Sequence, residues 1–392
     1  MQAPAPLNVP RRVIVADGAP PAALAAVRSL VRAGHRVEVS TSRRWGDRAA
    51  RSRGVEPFAT PSPSHQSAGF GEALLARAKQ GGGPVILPCT EAAVLAIEAR
   101  RAEFERHAQV LLPSSPVLRR VLDKRETLAV ARRIGIATPR TVTVTGPADL
   151  PAIAGLRYPV VVKPASSRWT ARDVVATAGP LYASHVDTAA LAATRLLEDG
   201  APGALVQEFV PGSGWGVGLL VRAGSASAVF VHRRLREVHP AGGPSAAAES
   251  APPEPALVEP AIALLRALDW EGLAMVEFRR EGLGEPVLME VNGRTWGTLG
   301  LAIDAGVDFP ALLVSGGGGL PPAYRAGMRR RWLAGELRRV QAVFYGRPPG
   351  YAGPFPSRWR AIADVMLGVA PDFVFRWSDP MPFASEVLDA MS

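Results

Sequence analysis

The sequence contains little cysteine, little lysine and no long apolar segment. Its 392 residues include a single cysteine, Cys89, so an intramolecular disulfide is excluded. No apolar run approaches the roughly 18 to 20 residues that a helix needs to cross a bilayer, which excludes a membrane span. Residues 1–10 also lack the apolar segment of a secretory signal, so the expected location is the cytoplasm.

Lysine is scarce although positive charge is abundant. Of the 45 basic residues only three are lysines, namely Lys79, Lys124 and Lys163. Because arginine supplies the generic positive charge, a retained lysine indicates a role for a compact, rotatable ammonium group. Lys124 follows Asp123 at the start of a helical pattern, and Lys163 ends an apolar run that begins at Tyr158. Both positions fit contacts to phosphate.

The net charge of +10 is of a size found in nucleic-acid-binding proteins, since clustered basic residues bind phosphate backbones. Here the arginines are dispersed along the whole chain, with only short runs such as those at 233–234 and 329–331. No zinc-finger spacing or aromatic RNA-binding pattern accompanies them. We interpret the net positive charge as the result of an arginine-rich composition together with local anion sites. No nucleic-acid partner is expected.

With 47% hydrophobic and 20% charged residues, the chain is expected to form two or three packed domains. The first, residues 1–113, alternates short β-branched runs with alanine-rich stretches, which is typical of a Rossmann-like parallel sheet. Strands are predicted at 13–15, 37–39, 85–87 and 110–112, and helices at 22–33 and 91–101. The first turn, residues 17–21, lacks the glycine spacing of a dinucleotide site, so dinucleotide binding is not expected.

The pattern then indicates a second unit at 114–204, a third at 205–319 and a partly helical C-terminal extension at 320–392. Predicted strands lie at 141–145, 160–163 and 205–209, and predicted helices lie at 123–134, from 149, at 188–197 and at 255–268. Residues 166–170 form a polar loop. Residues 241–255, rich in Ala, Gly, Pro and Ser, are either a flexible linker or an ordered substrate loop.

The strongest local signal is a pair of predicted strands, residues 275–278 (MVEF) and 288–294 (LMEVNGR). A short segment with two glycines joins them, which predicts a β-hairpin. Side chains alternate along a strand, so Glu290 and Asn292 share one face, and a register that opposes Glu277 to Glu290 would bring three oxygen donors together. Such a set suits Mg²⁺, which also takes water and phosphate ligands. The alternative is a solvent-facing hairpin with ordinary charged residues.

Further basic residues lie near these strands. Arg294 follows the hairpin, from where its guanidinium would reach the same phosphates bidentately. His232, Arg234 and Arg236 share one face of another predicted strand. They would either line an anionic cleft or form an exposed basic strand, and periodicity alone does not decide between the two.

Four motifs, in their order and spacing, resemble those of the ATP-grasp superfamily over about residues 10–320. They are residues 122–124 (LDK) with 135–139 (GIATP), residues 159–164 (PVVVKP), residues 206–212 (VQEFVPG), and Glu277 with 290–294 (EVNGR). The chain resembles in particular the bacterial carboxylate–amine ligase-like branch, which shares features with carbamoyl-phosphate synthase large subunits and D-aspartate ligases. The resemblance implies an α/β and α+β fold, in which a Rossmann-like N-terminal domain precedes a two-lobed ATP-grasp fold and a C-terminal extension.

The resemblance also implies roles for particular residues around an ATP molecule held between the two lobes. Phosphate contacts are implied for Lys124, Lys163 and Arg294, of which Lys163 and Arg294 are the candidate catalytic residues. Adenine recognition, largely through backbone groups, is implied for Gln207, Glu208, Phe209 and Val210. Phosphate or carboxylate binding is implied for His232 and Arg234. Glu277, Glu290 and Asn292 match the ligands of Mg²⁺, for which Mn²⁺ is an alternative.

Two departures from the family pattern stand out. Residues 213–216 (SGWG) occupy the position where relatives often place an acid that binds ribose. The loop 166–170 lies where relatives carry a mobile, often glycine-rich cover over the phosphates, yet it contains no glycine. Its role as a lid or as a plain surface turn stays open.

The activity that the resemblance implies is an ATP-dependent ligase that activates a carboxylate as an acyl phosphate and passes it to an amine, releasing ADP and phosphate. The expected partners are a small-molecule carboxylate and amine, and a homodimer is compatible with the resemblance. A bicarbonate-activating enzyme like carbamoyl-phosphate synthase or biotin carboxylase is a weaker alternative, because the sequence shows no biotin-carrier or glutaminase segment. The other alternative is a non-catalytic scaffold that binds ATP.

Overall fold

A computed structural model describes residues 9–43, 46–166, 168–171, 174–316 and 323–391. Three features of the sequence lie outside these residues: the first eight residues, Ser167 of the predicted polar loop, and glycines 317–319 of the glycine run. Within the described ranges, no helix is both long and apolar enough to cross a membrane.

The N-terminal part of the chain forms a five-stranded parallel sheet with strand order β3-β2-β1-β4-β5. The strands are β1 (Arg12–Ala16), β2 (Arg36–Thr41), β3 (Val55–Ala59), β4 (Val85–Pro88) and β5 (Gln109–Val110), and the helices are α1 (Pro21–Arg32), α2 (Ser67–Ala78), α3 (Glu91–Glu98) and α4 (Arg101–Glu105). Strand β1 is buried because helices cover both faces of the sheet. The strand order reverses between β1 and β4, so the carboxyl ends of these strands border a crevice.

The helix at 91–101, strand β3 and helix α2 differ from the sequence prediction. The helix predicted at 91–101 is divided into α3 and α4, because Arg100 leaves the helical conformation with φ −126° and ψ 26°. Strand β3 and helix α2 have no counterpart in the prediction. Strand β3 gives no apolar run because it is a half-exposed edge strand that contains Pro57.

The next part of the chain contributes a four-stranded antiparallel sheet with strand order β10-β7-β11-β6. Its elements are helices α5 (Ser115–Leu122), α6 (Lys124–Arg133) and α7 (Val186–Glu198), strands β6 (Thr141–Val144), β7 (Val160–Pro164), β10 (Leu181–Ala183) and β11 (Ala204–Glu208), and the separate hairpin of β8 (Trp169–Ala171) and β9 (Val174–Ala176). Val160 and Val162 are buried with residues of α7. The opposite face carries Val161 and Lys163 of β7 and Tyr182 of β10, which pairs with Val161.

The third part is a six-stranded antiparallel sheet with strand order β16-β15-β12-β13-β14-β17. Its strands are β12 (Ser213–Arg222), β13 (Ser225–Glu237), β14 (Ser245–Ala251), β15 (Gly272–Arg280), β16 (Val287–Asn292) and β17 (Arg329–Arg331), and the helices of this part are α8 (Pro255–Ala267), α9 (Leu299–Ala305) and α10 (Phe309–Ser315). The segment 241–255 is not a flexible linker. Its central part, Ser245–Ala251, is strand β14, whose alanines 246–248 are buried beneath neighbouring elements.

The boundary between the two lobes lies later in the chain than the sequence indicates. Strand β11 pairs with β6 and β7 of the four-stranded sheet, so the chain leaves this sheet after Glu208. Helices α5 and α6 precede this sheet in the sequence but pack against β16 and share a core with the six-stranded sheet. Helix α6 therefore places its first residue, Lys124, beside the hairpin of β15 and β16.

The C-terminal extension contains α11 (Leu333–Tyr345), α12 (Arg358–Met366) and α13 (Met381–Met391). It returns to the N-terminal domain, where Arg48 pairs with Glu386 at 2.6 Å and Arg28 pairs with Asp379 at 2.9 Å. These ion pairs are mostly buried, so the extension is part of the folded body. The predicted combination of a Rossmann-like domain with α+β lobes is confirmed.

Candidate active site

The hairpin of β15 and β16 positions the two carboxylates that the sequence singled out. Glu277 lies directly opposite Glu290 in the antiparallel register, and a bulge follows between Glu277 and Phe278. Directly opposed residues point to the same side of a sheet, so both carboxylates occupy one face. The observed pairing is the register that the metal-site interpretation of the sequence requires.

The two carboxylates converge on one point. The side-chain nitrogen Nδ2 of Asn292 lies 3.1 Å from Oε1 of Glu277 and 3.2 Å from Oε1 of Glu290. Two carboxylate oxygens that share one small donor have the chemistry and spacing of a site for Mg²⁺ or Mn²⁺. The amide oxygen of Asn292 instead accepts a hydrogen bond from Nη2 of Arg294 at 3.1 Å. Asn292 would therefore have to turn its amide to become the third oxygen ligand.

Both predicted lysines lie beside these carboxylates. The backbone amide of Lys124 donates to the carbonyl of Ala165 at 2.9 Å, and its Nζ lies 3.5 Å from Oε2 of Glu290. Lys163, at the end of β7, places its Nζ 3.5 Å from the carbonyl of Met289. The structure thus brings one ammonium group from each side of the cleft to the acidic hairpin.

Burial and neighbouring charges together determine the pKa values of this cluster. Burial alone would raise the pKa of Glu290, but Lys124 and Lys163 lower it to about 2. Burial and the nearby Lys124 lower the pKa of Lys163 to about 8, although Glu290 and Glu277 act in the other direction. At neutral pH Glu290 is ionised and Lys163 is mostly protonated.

Arg234 belongs to the same cluster and directly contacts a predicted metal ligand. Its Nη2 lies 2.5 Å from Oε1 of Glu277, and its Nη1 lies 3.2 Å from Oε1 of Glu237. Burial raises the pKa of Glu277 above its usual range even though Arg234 opposes this effect. The predicted anion-binding residue Arg234 is thus placed at the site, where it holds the Glu277 carboxylate.

Three alternating glycines of β12 make this arrangement possible. They are Gly214, Gly216 and Gly218, all of which pair with β15, and the last two also pair with β13. A Cβ atom on the first would lie 2.9 Å from Cδ of Arg234, and one on the second would lie 2.2 Å from the ring of His232. The segment 213–216 therefore gives space to neighbouring side chains. A glycine at every second position of a strand was the available sequence signal.

His232 is not a ligand contact, in contrast to the prediction. Its side chain is 1% exposed, its Nε2 lies 3.0 Å from the hydroxyl of Thr298, and its ring stacks on Phe230. Burial, with a smaller effect of Arg234, lowers its pKa to about 3. The ring is a neutral core group because neighbouring elements cover the face of β13 on which it lies. The third residue of the predicted basic face, Arg236, pairs with the buried carboxylate of Glu336.

The His232→Gln substitution is expected to reduce the acid sensitivity of the fold. The unfolded chain binds a proton on His232 below about pH 6.5, whereas the folded chain does so only near pH 3, so wild-type stability falls as pH decreases through this window. Between pH 7 and pH 4 the wild type should lose about 3 kcal/mol of unfolding free energy that the glutamine variant does not lose. Denaturant unfolding at several pH values measures the difference. Parallel pH profiles for the two proteins would contradict the assignment.

The segment 207–210, implied in adenine recognition, divides into two parts. The Gln207 side chain is buried and donates to the hydroxyl of Thr141 at 2.9 Å, and the Glu208 carboxylate accepts from the backbone amide of Arg157 at 2.9 Å. The amides of Glu208 and Phe209 are engaged by backbone carbonyls. Within the described residues, Val210 makes no backbone hydrogen bond, so its backbone groups are available to an adenine edge.

Aromatic side chains surround Phe209, and one of them comes from the C-terminal extension. The ring centroid of Tyr351 lies 5.8 Å from that of Phe209 and 4.9 Å from that of Tyr182. The Tyr351 hydroxyl donates to the carbonyl of Pro240 at 3.1 Å. The extension therefore contacts both lobes beside the implied adenine segment. This contact could not be predicted from local pattern, because Tyr351 lies far from Phe209 along the chain.

The predicted polar loop 166–170 leads into the hairpin of β8 and β9. Ser166 forms a β-bridge with Asp123, next to Lys124. The backbone amide of Val175 donates to the carbonyl of Ser64 in the N-terminal domain at 2.8 Å. The hairpin thus lies between the first lobe and the N-terminal domain, and its role as a lid stays a prediction.

Arg294 lies at the border between the acidic hairpin and the N-terminal domain. Besides Asn292, it contacts the carbonyl of Thr295 through Nη1 at 2.8 Å. The hydroxyl of Thr295 in turn donates to the carbonyl of Cys89, at the carboxyl end of β4. Arg294 also lines a pocket together with Lys124 and Glu91. Sequence reasoning missed Glu91.

Comparisons with known proteins agree with this arrangement. The sequence of residues 201–335 matches the family described as "ATP-grasp in the biosynthetic pathway with Ter operon". No curated protein matches the sequence of the chain.

Solved structures provide similarity over most of the chain. An N5-carboxyaminoimidazole ribonucleotide synthetase in its ADP complex is 16% identical, with a TM-score of 0.61, and the match covers 82% of this chain and 80% of that one. An L-amino acid ligase from Bacillus licheniformis is 17% identical, with a TM-score of 0.58 and coverages of 78% and 74%. A biotin carboxylase from Campylobacter jejuni is 15% identical, with a TM-score of 0.61 and coverages of 81% and 74%. At these identities the similarity establishes the fold and leaves the reaction open.

Proposed function

Since the chain has the ATP-grasp fold that its four motifs predict, we propose that it is an ATP-dependent ligase that joins a carboxylate to an amine. The observation that carries this proposal is the convergence of Glu277 and Glu290 on one point, with Lys124 and Lys163 beside them. Burying several charges is costly, and such clusters concentrate at functional sites. The cluster suits a nucleotide whose phosphates meet both a divalent cation and two ammonium groups.

Each side chain of the cluster has a distinct task in this proposal. Glu277 and Glu290 would hold Mg²⁺ or Mn²⁺, joined by Asn292 once its amide is turned. The bound cation would neutralise charge on the phosphate oxygens. Lys124, Lys163 and Arg294 would orient the phosphates and stabilise the negative charge of the transferring phosphoryl group, where positioning and electrostatics provide most of the catalysis.

The proposed reaction has two steps. An oxygen of the substrate carboxylate forms a bond to the γ-phosphorus while the bond to ADP breaks, which gives an acyl phosphate. The amine nitrogen then bonds to the acyl carbon, the bond from this carbon to the phosphate oxygen breaks, and the nitrogen loses a proton. The first step is needed because a free carboxylate is a poor electrophile at neutral pH. No side chain has to act as a covalent nucleophile.

An ADP-release screen with pooled small carboxylates and amines tests this function. We expect ADP release that requires an acid and an amine together, and a decrease of about 100-fold or more in the Lys163→Met variant, because the phosphoryl group loses a cation. Lys79→Met is the matched control, since Lys79 is exposed and lies in the N-terminal domain.

The other outcomes of the screen separate the alternatives. ADP release with bicarbonate alone would favour a bicarbonate-activating enzyme. ATP binding with no ADP release in any pool would favour a non-catalytic scaffold. Equal activity of the Lys163→Met variant and the wild type would contradict the role of Lys163.

A further inference from the structure

Glu91 is a buried carboxylate in the cleft for which the described part of the chain supplies no hydrogen-bond or ion-pair partner. It is the first residue of α3, and Thr90 before it caps the helix by accepting from the amide of Ala93 at 3.2 Å. The Thr90 hydroxyl also donates to the Asp17 carboxylate at 2.7 Å, which connects the carboxyl ends of β1 and β4. Glu91 is only 8% exposed, yet within the described residues no donor forms a hydrogen bond or ion pair with its carboxylate.

The pocket beside Glu91 combines three charges with an apolar wall. Lys124 and Arg294 line it together with Glu91, and Glu91 is the only acid among its described lining residues. The rest of the lining includes four aliphatic side chains, Val94, Val121, Leu122 and Val291, and the three valines are buried members of the neighbouring core. The same pocket includes Asn292 of the acidic hairpin. It is therefore continuous with the site proposed for the phosphates.

The charge of Glu91 makes a specific kind of ligand favourable. A buried carboxylate with no hydrogen bond is destabilised, and burial raises the pKa of Glu91 although Arg294 and Lys124 oppose this shift. A ligand with positively charged N–H donors would remove this cost. A second divalent cation is disfavoured because it requires several oxygen ligands, and Glu91 is the single acid among the described residues that line the pocket.

We infer that this pocket receives the amine group of the acceptor substrate, with Glu91 bound to its ammonium nitrogen. The inference rests on the proposed function, since it assigns the acceptor of that reaction. Because the pocket shares Lys124, Asn292 and Arg294 with the phosphate site, an amine bound at Glu91 lies next to the position of the acyl phosphate. Glu91 thus selects an acceptor that carries a primary ammonium group.

A calorimetric titration tests the inference without requiring turnover. The protein is saturated with Mg²⁺ and adenylyl imidodiphosphate, then titrated with propylamine, isobutylamine, isoamylamine, alanine, valine and leucine. The matched alcohols propanol, isobutanol and isoamyl alcohol have the shape of the amines without the charge. We expect at least one amine or amino acid to bind, and the alcohols to bind at least about 10-fold more weakly, because a charged hydrogen bond to a buried carboxylate is lost.

The Glu91→Gln variant isolates the charge of this side chain. We expect its affinity for the bound amine to fall about 10-fold or more, while its affinity for Mg²⁺ and adenylyl imidodiphosphate stays within about twofold of wild type. Retained nucleotide binding also shows that the variant is folded. Glu98→Gln, at the other end of α3, is the matched control and should bind both ligands as the wild type does.

Three results would overturn the inference: no amine or amino acid binds the wild type, the alcohols bind as tightly as the amines, or Glu91→Gln keeps the wild-type affinity for the amine. Each of them leaves nucleotide binding intact, so none contradicts the proposed function. The nucleotide titration and the ADP-release screen test that function separately.

Discussion

The Glu290→Gln variant should lose the Mg²⁺-dependent part of its affinity for ATP, by about 100-fold or more, and should release no measurable ADP. The Glu290 carboxylate is one of the two that converge on Asn292, and it pairs with Lys124 at 3.5 Å. Burial would raise its pKa, but Lys124 and Lys163 keep the pKa at about 2, so the substitution removes a full negative charge at neutral pH. Titration of ATP with Mg²⁺ and with a chelator measures the effect.

A control in the same hairpin separates this effect from a general loss of charge. Glu285 is exposed in the segment that joins β15 and β16, and Glu285→Gln should bind Mg²⁺ and ATP like the wild type. If Glu290→Gln still binds ATP more tightly with Mg²⁺ than without it, to the same degree as the wild type, the carboxylates do not form the metal site.

The local pattern of the sequence was sufficient to predict the acidic hairpin. Alternation along the second strand placed Glu290 and Asn292 on one face, and the short connection predicted the hairpin, in which Glu277 does lie opposite Glu290. Lys163 was likewise predicted at the end of a buried strand, and it lies there. These features depend on residues close together in the sequence, which is where periodicity carries information.

The wrong predictions concern residues whose surroundings are determined by contacts between segments that lie far apart in the sequence. His232 shares the face of Arg234, as predicted, but Gly216 and Thr298 provide a buried niche for its ring. The composition of 241–255 indicates a loop, yet helix α9 packs closely on β14, where small alanine side chains fit. Glu91 was missed for the same reason, because its significance arises only when α3 approaches the end of β16.

The ion pair of Arg234 and Glu277 offers a second test of large effect. Arg234→Met should destabilise the fold by about 3 to 5 kcal/mol, because it removes the cation that lies 2.5 Å from a buried carboxylate and leaves that carboxylate with the Asn292 amide as its remaining donor. The methionine side chain keeps much of the volume that lies over Gly214, so lost packing contributes less than lost charge. Denaturant unfolding at pH 7 measures the change.

A double-mutant cycle and a control substitution at a neighbouring residue identify the cause of this loss of stability. Glu277→Gln in the Arg234→Met background should restore part of the lost stability, because the buried group is then neutral. Arg233→Met is the control, since Arg233 lies on the other face of β13, is more exposed and pairs with Glu249 at 3.6 Å, and it should cost less than about 1 kcal/mol. If the two substitutions at 234 and 277 are additive, Arg234 does not hold Glu277 in the folded protein. A positive coupling instead means that Arg234 keeps this carboxylate ionised and positioned before any cation or nucleotide binds.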